Sequence, residues 1–238
     1  MKQSSLNLFR DHANGAYPHE CCGLIVVTQK GEQYLPCDNV ATSKNEEFRI
    51  APEAYAAAED NGTIIGICHS HPDATSQPSA HDLAMCEATA LPWHIISWPE
   101  GDLRTIVPTG EIPPLLGRPF VHGVWDCYAL IKDWYQLERG ITLPEFTRED
   151  GWWEGDQELY LDNYGKAGFS PVPESDLKPG DVILMQIQSK RVNHAAVYLG
   201  DNHMLHHLYG RLSRRDPYGG YWQRNTRLVV RYCQGRNR

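Results

Sequence analysis

The chain has 238 residues and a formal net charge of −8, with 41% hydrophobic and 22% charged residues. One domain typically takes about 100–200 residues, so one large or two compact domains fit, and a disordered tail, a collagen-like fibre or a small disulfide scaffold is excluded. Apolar runs such as Gly23–Val27 and Ile64–Cys68 fall far short of the ~18 residues that span a bilayer, and seven cysteines without repeating spacing argue for reduced thiols.

In chain order, Met1–Gly15 has neither an apolar core nor a cleavage site, so no secretory signal is expected. Gly23–Thr28, Thr63–Cys68 and His94–Trp98 are rich in β-branched residues and bounded by turn formers, which predicts strands. Pro52–Asp60 is alanine-rich and Ser79–Ala90 opens on a capping signature, which predicts helices. Val107–Gly123 holds four prolines and three glycines without periodicity. It marks a boundary: a first domain at 1–107, a linker at 108–117 and a second domain at 118–238. Beyond it, Cys127–Glu138 has the spacing of an amphipathic helix, and Asp181–Ile187 and Ala195–Leu199 read as strands. The turn Lys178–Asp181 announces the first of these strands. The organisation is α+β in two domains.

Charge follows the same division. Residues 1–110 carry six basic and 14 acidic side chains, whereas residues 111–238 carry 16 of each. From His203 onward eight arginines face one acid, Asp216, interleaved with Tyr209, Tyr218, Tyr221 and Trp222. This predicts a basic aromatic tail serving as a solvated face or protein-docking surface, with no nucleic-acid partner.

His69 and His71 stand two apart at the end of an apolar strand, so their side chains leave one face and can converge on one ion. Asp82, from the following helix, adds a carboxylate oxygen. Two imidazoles and a carboxylate leave a fourth position open, as in catalytic rather than structural zinc sites. Such a site needs a nearby carboxylate to carry a proton, for which Glu20 is the candidate, and a donor for the developing oxyanion, for which Ser79 is the candidate. Ser79 and Asp82 also read, more plainly, as a helix capping box. Cys21, Cys22 and Cys68 are expected to pack as core residues, and His12, His81 and His94 as ordinary histidines. His69-Ser-His-Pro72, Ser79, Asp82 and the upstream Glu20-x-x-Gly23 together resemble the JAMM (MPN-type) metalloprotease signature. The resemblance implies a mixed sheet with flanking helices, Zn2+ held by His69, His71 and Asp82, Glu20 as general base, Ser79 as oxyanion donor, and hydrolysis of peptide or isopeptide bonds.

Asp126 stands in the capping position of the helix that Cys127 opens, where free amides and the helix dipole are expected to lower the thiol pKa. A nucleophilic thiolate needs an imidazole and the imidazole an orienter. His194 opens one predicted strand and His206 lies 12 residues later, with His207 as its competitor. The Asp-Cys helix, the Lys-Pro-Gly-Asp181 turn and His194-Ala-Ala-Val-Tyr-Leu-Gly200 together resemble the NlpC-type cell-wall peptidases, papain-like cysteine enzymes. That resemblance implies Cys127 as nucleophile, His194 as general base, His206 as the third residue, and peptidoglycan stem peptides as substrate. The aromatic loop Glu149–Gly168, with Trp152, Trp153, Tyr160 and Tyr164, is left open between groove lining, partner docking and plain packing.

The two domains in this order, with the segment His206–Trp222, resemble the tail-tip proteins of lambda-like tailed phages. This implies other phage tail-tip proteins as partners, synthesis in the host cytoplasm, residence in the virion tail tip and access to the host periplasm on infection. The alternatives are a structural tail-tip plug with vestigial sites and a bacterial cell-wall hydrolase or amidase.

Overall fold

A computed structural model describes residues 1–149 and 151–233. The chain divides into two units, Met1–Gly110 and Glu111–Arg238, each with its own sheet. Among the described residues, no helix is long and apolar enough to cross a membrane.

The first unit runs α1 (Gln3–Ala16), β1 (Cys22–Thr28), β2 (Gly31–Cys37), α2 (Pro52–Asn61), β3 (Thr63–Pro72), α3 (Ala80–Thr89), β4 (Trp93–Trp98) and β5 (Leu103–Ile106). Its sheet has the order β2-β1-β3-β4-β5, with β3 and β4 parallel and every other pair antiparallel. A parallel neighbour demands a crossover, and α3 supplies it between the two strands. Both faces of β1 are buried, which explains its nearly continuous apolar run. Leu24 and Val26 pack with Ala58, Ile67 and Cys86, whereas Ile25 packs with Phe9 and Ala13 of α1. Cys21 and Cys68 lie in the layer beneath α1 and Cys22 in the opposite one, all three buried and carrying thiols pushed up in pKa by that burial. Helix α1 escapes a sequence reading because only Ser5, Phe9 and Ala13, at i, i+4 and i+8, are fully buried, in a run otherwise mostly polar.

The second unit runs α4 (Cys127–Arg139), α5 (Leu159–Asn163), β6 (Phe169–Val172), β7 (Val182–Met185), β8 (His194–Gly200), β9 (His203–His206), β10 (Arg214–Pro217), α6 (Tyr221–Asn225) and β11 (Thr226–Tyr232). Its antiparallel sheet has the order β10-β9-β8-β7-β11-β6. Leu130, Ile131, Trp134 and Tyr135 of α4 pack on one face against Val182, Leu184, Ala195, Val197, Leu205 and Val230. Ile183, Met185, Ala196 and Met204 form the opposite face with Tyr198 and Tyr218.

The described part of the arginine-rich segment, residues 203–233, is not a tail. It builds β9, β10, α6 and β11, and β11 lies inside the sheet between β7 and β6. The reason is an alternation that the arginine count hides: Leu228, Val230 and Tyr232 join the core beside α4, while Arg227 and Arg231 alternate with them. Arg231 is bound internally, its Nε 2.8 Å from Asp181 Oδ1 and its Nη1 2.9 Å from Asp176 Oδ2.

The expected linker is held at both ends. The Glu87 carboxylate accepts the N–H groups of Thr109 (2.8 Å) and Gly110 (3.0 Å). In the second unit the buried Arg118 guanidinium donates to the carbonyls of Pro113 (2.6 Å) and Pro114 (3.2 Å) and pairs with Asp133 at 2.5 Å.

Two candidate active sites

In the first unit, the end of β3 and the start of α3 bring His69, His71 and Asp82 together. The two Nε2 atoms are 3.0 Å apart, His69 Nε2 is 3.2 Å from Asp82 Oδ1, and His71 Nε2 is 3.4 Å from Asp82 Oδ2. Ligands about 2.0–2.2 Å from a tetrahedral zinc sit roughly 3.3–3.6 Å from one another, so a small opening of this cluster admits the ion. The donor set fits in chemistry as well. His71 donates its Nδ1–H to the Thr75 carbonyl at 2.8 Å, which leaves the Nε2 lone pair facing the cluster. Burial lowers the pKa of His69 and keeps it in the neutral, ligating form. Phe48 stacks on the His69 ring at 4.7 Å and fixes its plane.

Asp82 serves two purposes at once. Its Oδ2 accepts the Ser79 N–H at 2.7 Å and its own N–H is donated to Ser79 Oγ at 3.1 Å, a reciprocal capping box. The box orients the carboxylate toward the two imidazoles. Without metal, burial opposes ionisation of Asp82, but the facing imidazoles of His69 and His71 and the Ser79 N–H outweigh it and hold the carboxyl far below its usual range. Asp82 in turn raises the pKa of His71 against its burial, so the lone-pair form of His71 is the one a bound metal would select. Ser79 is exposed, and with its oxygen already accepting from Asp82 its hydroxyl proton is free to be donated.

Glu20 lies just ahead of β1. Cys22 pairs with His69 and the Ser70 N–H donates to the Cys21 carbonyl at 3.1 Å, a register that carries Glu20 to His71. Burial raises its pKa to about 7, against the pull of His71. Such a carboxyl exchanges a proton readily near neutral pH.

In the second unit, Asp126 caps α4, its Oδ1 accepting the Ala129 N–H at 2.9 Å, and Cys127 occupies the first turn. His194, at the start of β8, and Cys127 line one cleft. The Nε2 of His194 is 3.1 Å from Nδ1 of His206, which leaves His194 Nδ1 clear of this contact. Trp222 meets the His206 ring edge-on at 4.6 Å. His207 lines the same cleft but is not hydrogen-bonded to either histidine; its ring meets Phe120 at 5.1 Å.

The thiol departs from expectation. Burial, with the Asp126 charge adding to it, raises the Cys127 pKa to about 11 instead of lowering it. The opposing influences are the hydroxyl of Tyr160, 3.0 Å from Sγ, the Ala195 amide and the Arg148 charge. Burial also lowers His194 to about 3. The resting site is therefore a neutral thiol beside a neutral imidazole.

Three contributors have no part in the catalytic set that the sequence suggests, although Tyr160 is among the aromatics left open to groove lining and Asp216 is the lone acid of its segment. His206 Nε2 lies 3.1 Å from Asp216 Oδ2, which Arg214 also binds at 2.7 Å. Arg148 neutralises Asp126 through a 2.7 Å contact. Tyr160 reaches the sulfur from the aromatic loop, in which Trp152 and Trp153 also line the cleft whereas Tyr164 packs against the core. The signal for Asp216 was present: it is the single acid in the arginine-rich segment.

Comparison with known proteins agrees with this division. Residues 2–107 match the model of prokaryotic homologs of the JAB domain, and residues 117–231 match the NlpC/P60 family. The class is thus a JAB-type unit followed by an NlpC/P60 unit. Over 98% of its length the chain is 49% identical to the tail tip assembly protein K of Escherichia phage N15, covering 96% of that protein. It is 42% identical over 77% of its length to the protein of the same name from Escherichia phage lambda, covering 89% of it. The chain belongs to the tail tip assembly protein K family. Among solved structures, 49% of the chain is similar to 89% of the NlpC/p60 domain of peptidoglycan hydrolase SagA, at 18% identity and a TM-score of 0.36.

Proposed function

We propose that the protein is a phage tail-tip component whose second unit cuts peptidoglycan stem peptides with a Cys127–His194–His206 site. Its first unit is a zinc-dependent peptide or isopeptide hydrolase. The observation that carries the reading is the run of contacts from Asp216 through His206 to His194, which opens on the cleft holding Cys127. The names of the relatives support a place in the tail tip; assembly in the host cytoplasm and access to the host periplasm on infection are part of the proposal.

With a neutral resting pair, catalysis starts by general base action. His194 takes the Cys127 proton as the sulfur attacks the scissile carbonyl, and His206, anchored by Asp216, steadies the imidazolium that forms. Collapse of the tetrahedral adduct breaks the C–N bond, and His194 returns its proton to the leaving amine. Water, activated by the same imidazole, then hydrolyses the thioester and regenerates the thiol. Tyr160 and the Ala195 amide direct protons at the sulfur and offset the cost of its developing charge.

In the first unit His69, His71 and Asp82 would hold zinc, which when bound supplies Lewis-acid polarisation of the carbonyl and of water. Glu20 carries a proton from the attacking water to the leaving amine, and the Ser79 hydroxyl donates to the carbonyl oxygen. The capping box keeps Asp82 in place throughout.

Gram-negative peptidoglycan incubated with the protein tests the cysteine site. Muropeptide release that disappears in Cys127→Ala supports the reading, and the new ends identify the bond. Unchanged release from that variant contradicts it.

A further inference from the structure

Arg191 stands shortly before His194, on the loop between β7 and β8. Asn193 keeps that loop in shape, its side chain accepting the Ile187 N–H at 2.9 Å and donating to the Ile187 carbonyl at 3.0 Å, and Val192 is buried in the core. From this fixed base the Arg191 guanidinium crosses to the aromatic segment 152–160. Its Nη1 is 2.7 Å from Glu158 Oε1, its Nη2 is 3.2 Å from Asp156 Oδ1, and its Nε donates to the Gly155 carbonyl at 3.3 Å. Glu158 immediately precedes α5, and Tyr160, in the first turn of that helix, brings its hydroxyl to 3.0 Å from the Cys127 sulfur. One guanidinium thus ties the segment that touches the thiol to the strand that carries His194.

Packing beneath the segment is incomplete. An apolar cavity of about 50 Å³ is walled by Trp152, Leu159 and Tyr160 on one side and by Ile131, Val182 and Leu184 of the core on the other. Rings that border a void lose the dispersion contacts that would anchor them. Glu158 Oε2 is buried without a hydrogen-bond partner among the described residues, which disfavours the closed arrangement further. The forked contact with Arg191 opposes both effects.

We infer that Arg191 is a positioning residue of the cysteine site: it latches segment 152–160 over Cys127, and so sets both the access of water to the thiol and the contact that Tyr160 makes with it. The inference rests on the peptidase reading for its consequence in catalysis, and on geometry alone for the latch. The groups that act on the thiol are Asp126, at the start of α4, Tyr160 from the segment, and Arg148, with His194 in the same cleft. Burial outweighs them all, so release of the segment and entry of water move the thiol down toward the ordinary value of about 8.5. Loss of the Tyr160 hydroxyl alone, with the ring still in place, moves it the other way. A lysine at 191 keeps the charge but cannot reach two carboxylates and a carbonyl with one planar fork.

The test uses the full chain and reads the pH profile of Cys127 alkylation by iodoacetamide, located by peptide mass spectrometry because other free cysteines are present. Arg191→Gln and Glu158→Gln should each raise the rate at pH 8 about three- to tenfold and lower the midpoint, with the double variant no faster than either single one. Arg191→Lys should fall between wild type and Arg191→Gln. Asp156→Asn, at a fully exposed side chain, should change little. Thermal melts serve as the folding control, and either Gln variant carries the comparison if the other does not fold. On a stem peptide, Arg191→Gln is expected to lower kcat about tenfold with a smaller change in KM. Wild-type rates and midpoints in a natively melting Gln variant, or additive effects in the double variant, would overturn the inference. A shifted alkylation profile alongside wild-type protein that cleaves no stem peptide would instead overturn the peptidase reading and leave the latch standing.

Discussion

Nε2 of His206 lies 3.1 Å from Oδ2 of Asp216, whose partner on the other side is the Arg214 guanidinium. This contact extends the expected cysteine-histidine-histidine set by a carboxylate on β10. An ionised carboxylate fixes the ring orientation of its imidazole partner and favours the tautomer that directs a lone pair at the next group. Asp216→Asn should therefore lower kcat/KM on peptidoglycan fragments by roughly one to three orders of magnitude while leaving the thermal melt nearly unchanged. Steady-state kinetics on the two proteins checks this, and equal rates would remove Asp216 from the site.

Tyr160 contacts the sulfur at 3.0 Å, and its donated hydrogen bond favours the thiolate. Tyr160→Phe is expected to raise the Cys127 pKa above its value of about 11 and to slow alkylation by iodoacetamide at pH 8 several-fold. The wild-type rate should still be climbing with pH above neutrality. A plateau near pH 6 would indicate a preformed thiolate and contradict the neutral resting pair.

Glu20 gives a pH dependence of definite sign. Its folded pKa of about 7 lies above the unfolded value of 4.5, so the folded state holds more protons in that window. Stability contributed by this group is present below pH 4.5 and falls as pH rises toward 7. In metal-free protein, Glu20→Gln should thus raise the melting temperature at pH 8, by an amount corresponding to about 1–3 kcal/mol, and do little at pH 4. Calorimetry at the two pH values checks it. Zinc content should persist in the variant while peptide hydrolysis by the first unit is lost.

Asp82 is expected to show a compound effect. Asp82→Ala removes a ligand atom and one half of the capping box on α3. Bound zinc, read by elemental analysis, should fall from one equivalent to a small fraction, and chelated protein should lose a further ~1 kcal/mol of stability. Ser79→Ala should cost similar stability while retaining the metal. Equal zinc in wild type and Asp82→Ala would exclude Asp82 as a ligand.

Much of this arrangement is legible in sequence because it rests on short-range geometry. A two-residue spacing places His69 and His71 on one face of β3, and Ser79 with Asp82 announces the start of α3. Asp126 caps α4 as its residue type suggests. What is not legible depends on partners distant in sequence. Residues 33 apart join Cys127 to Tyr160, and burial of that thiol reverses the pKa shift that helix position alone suggests. The strand β11 is obscured because Arg227 and Arg231 dominate a composition count while Leu228 and Val230 carry the alternation. Likewise the pairing of the Asp126 cap with Arg148 spans 22 residues and has no local signal in the sequence.

The central claim is that Cys127 is the nucleophile of a peptidoglycan peptidase, and mass spectrometry of muropeptides tests it most directly. Purified wild-type protein should release peptides from Gram-negative sacculi, with new ends at one defined stem position, and Cys127→Ala and His194→Ala should release none. Identical release by the Cys127→Ala protein, or intact sacculi after treatment with wild-type protein whose thiol remains alkylatable, would contradict the account and favour a structural role at the tail tip.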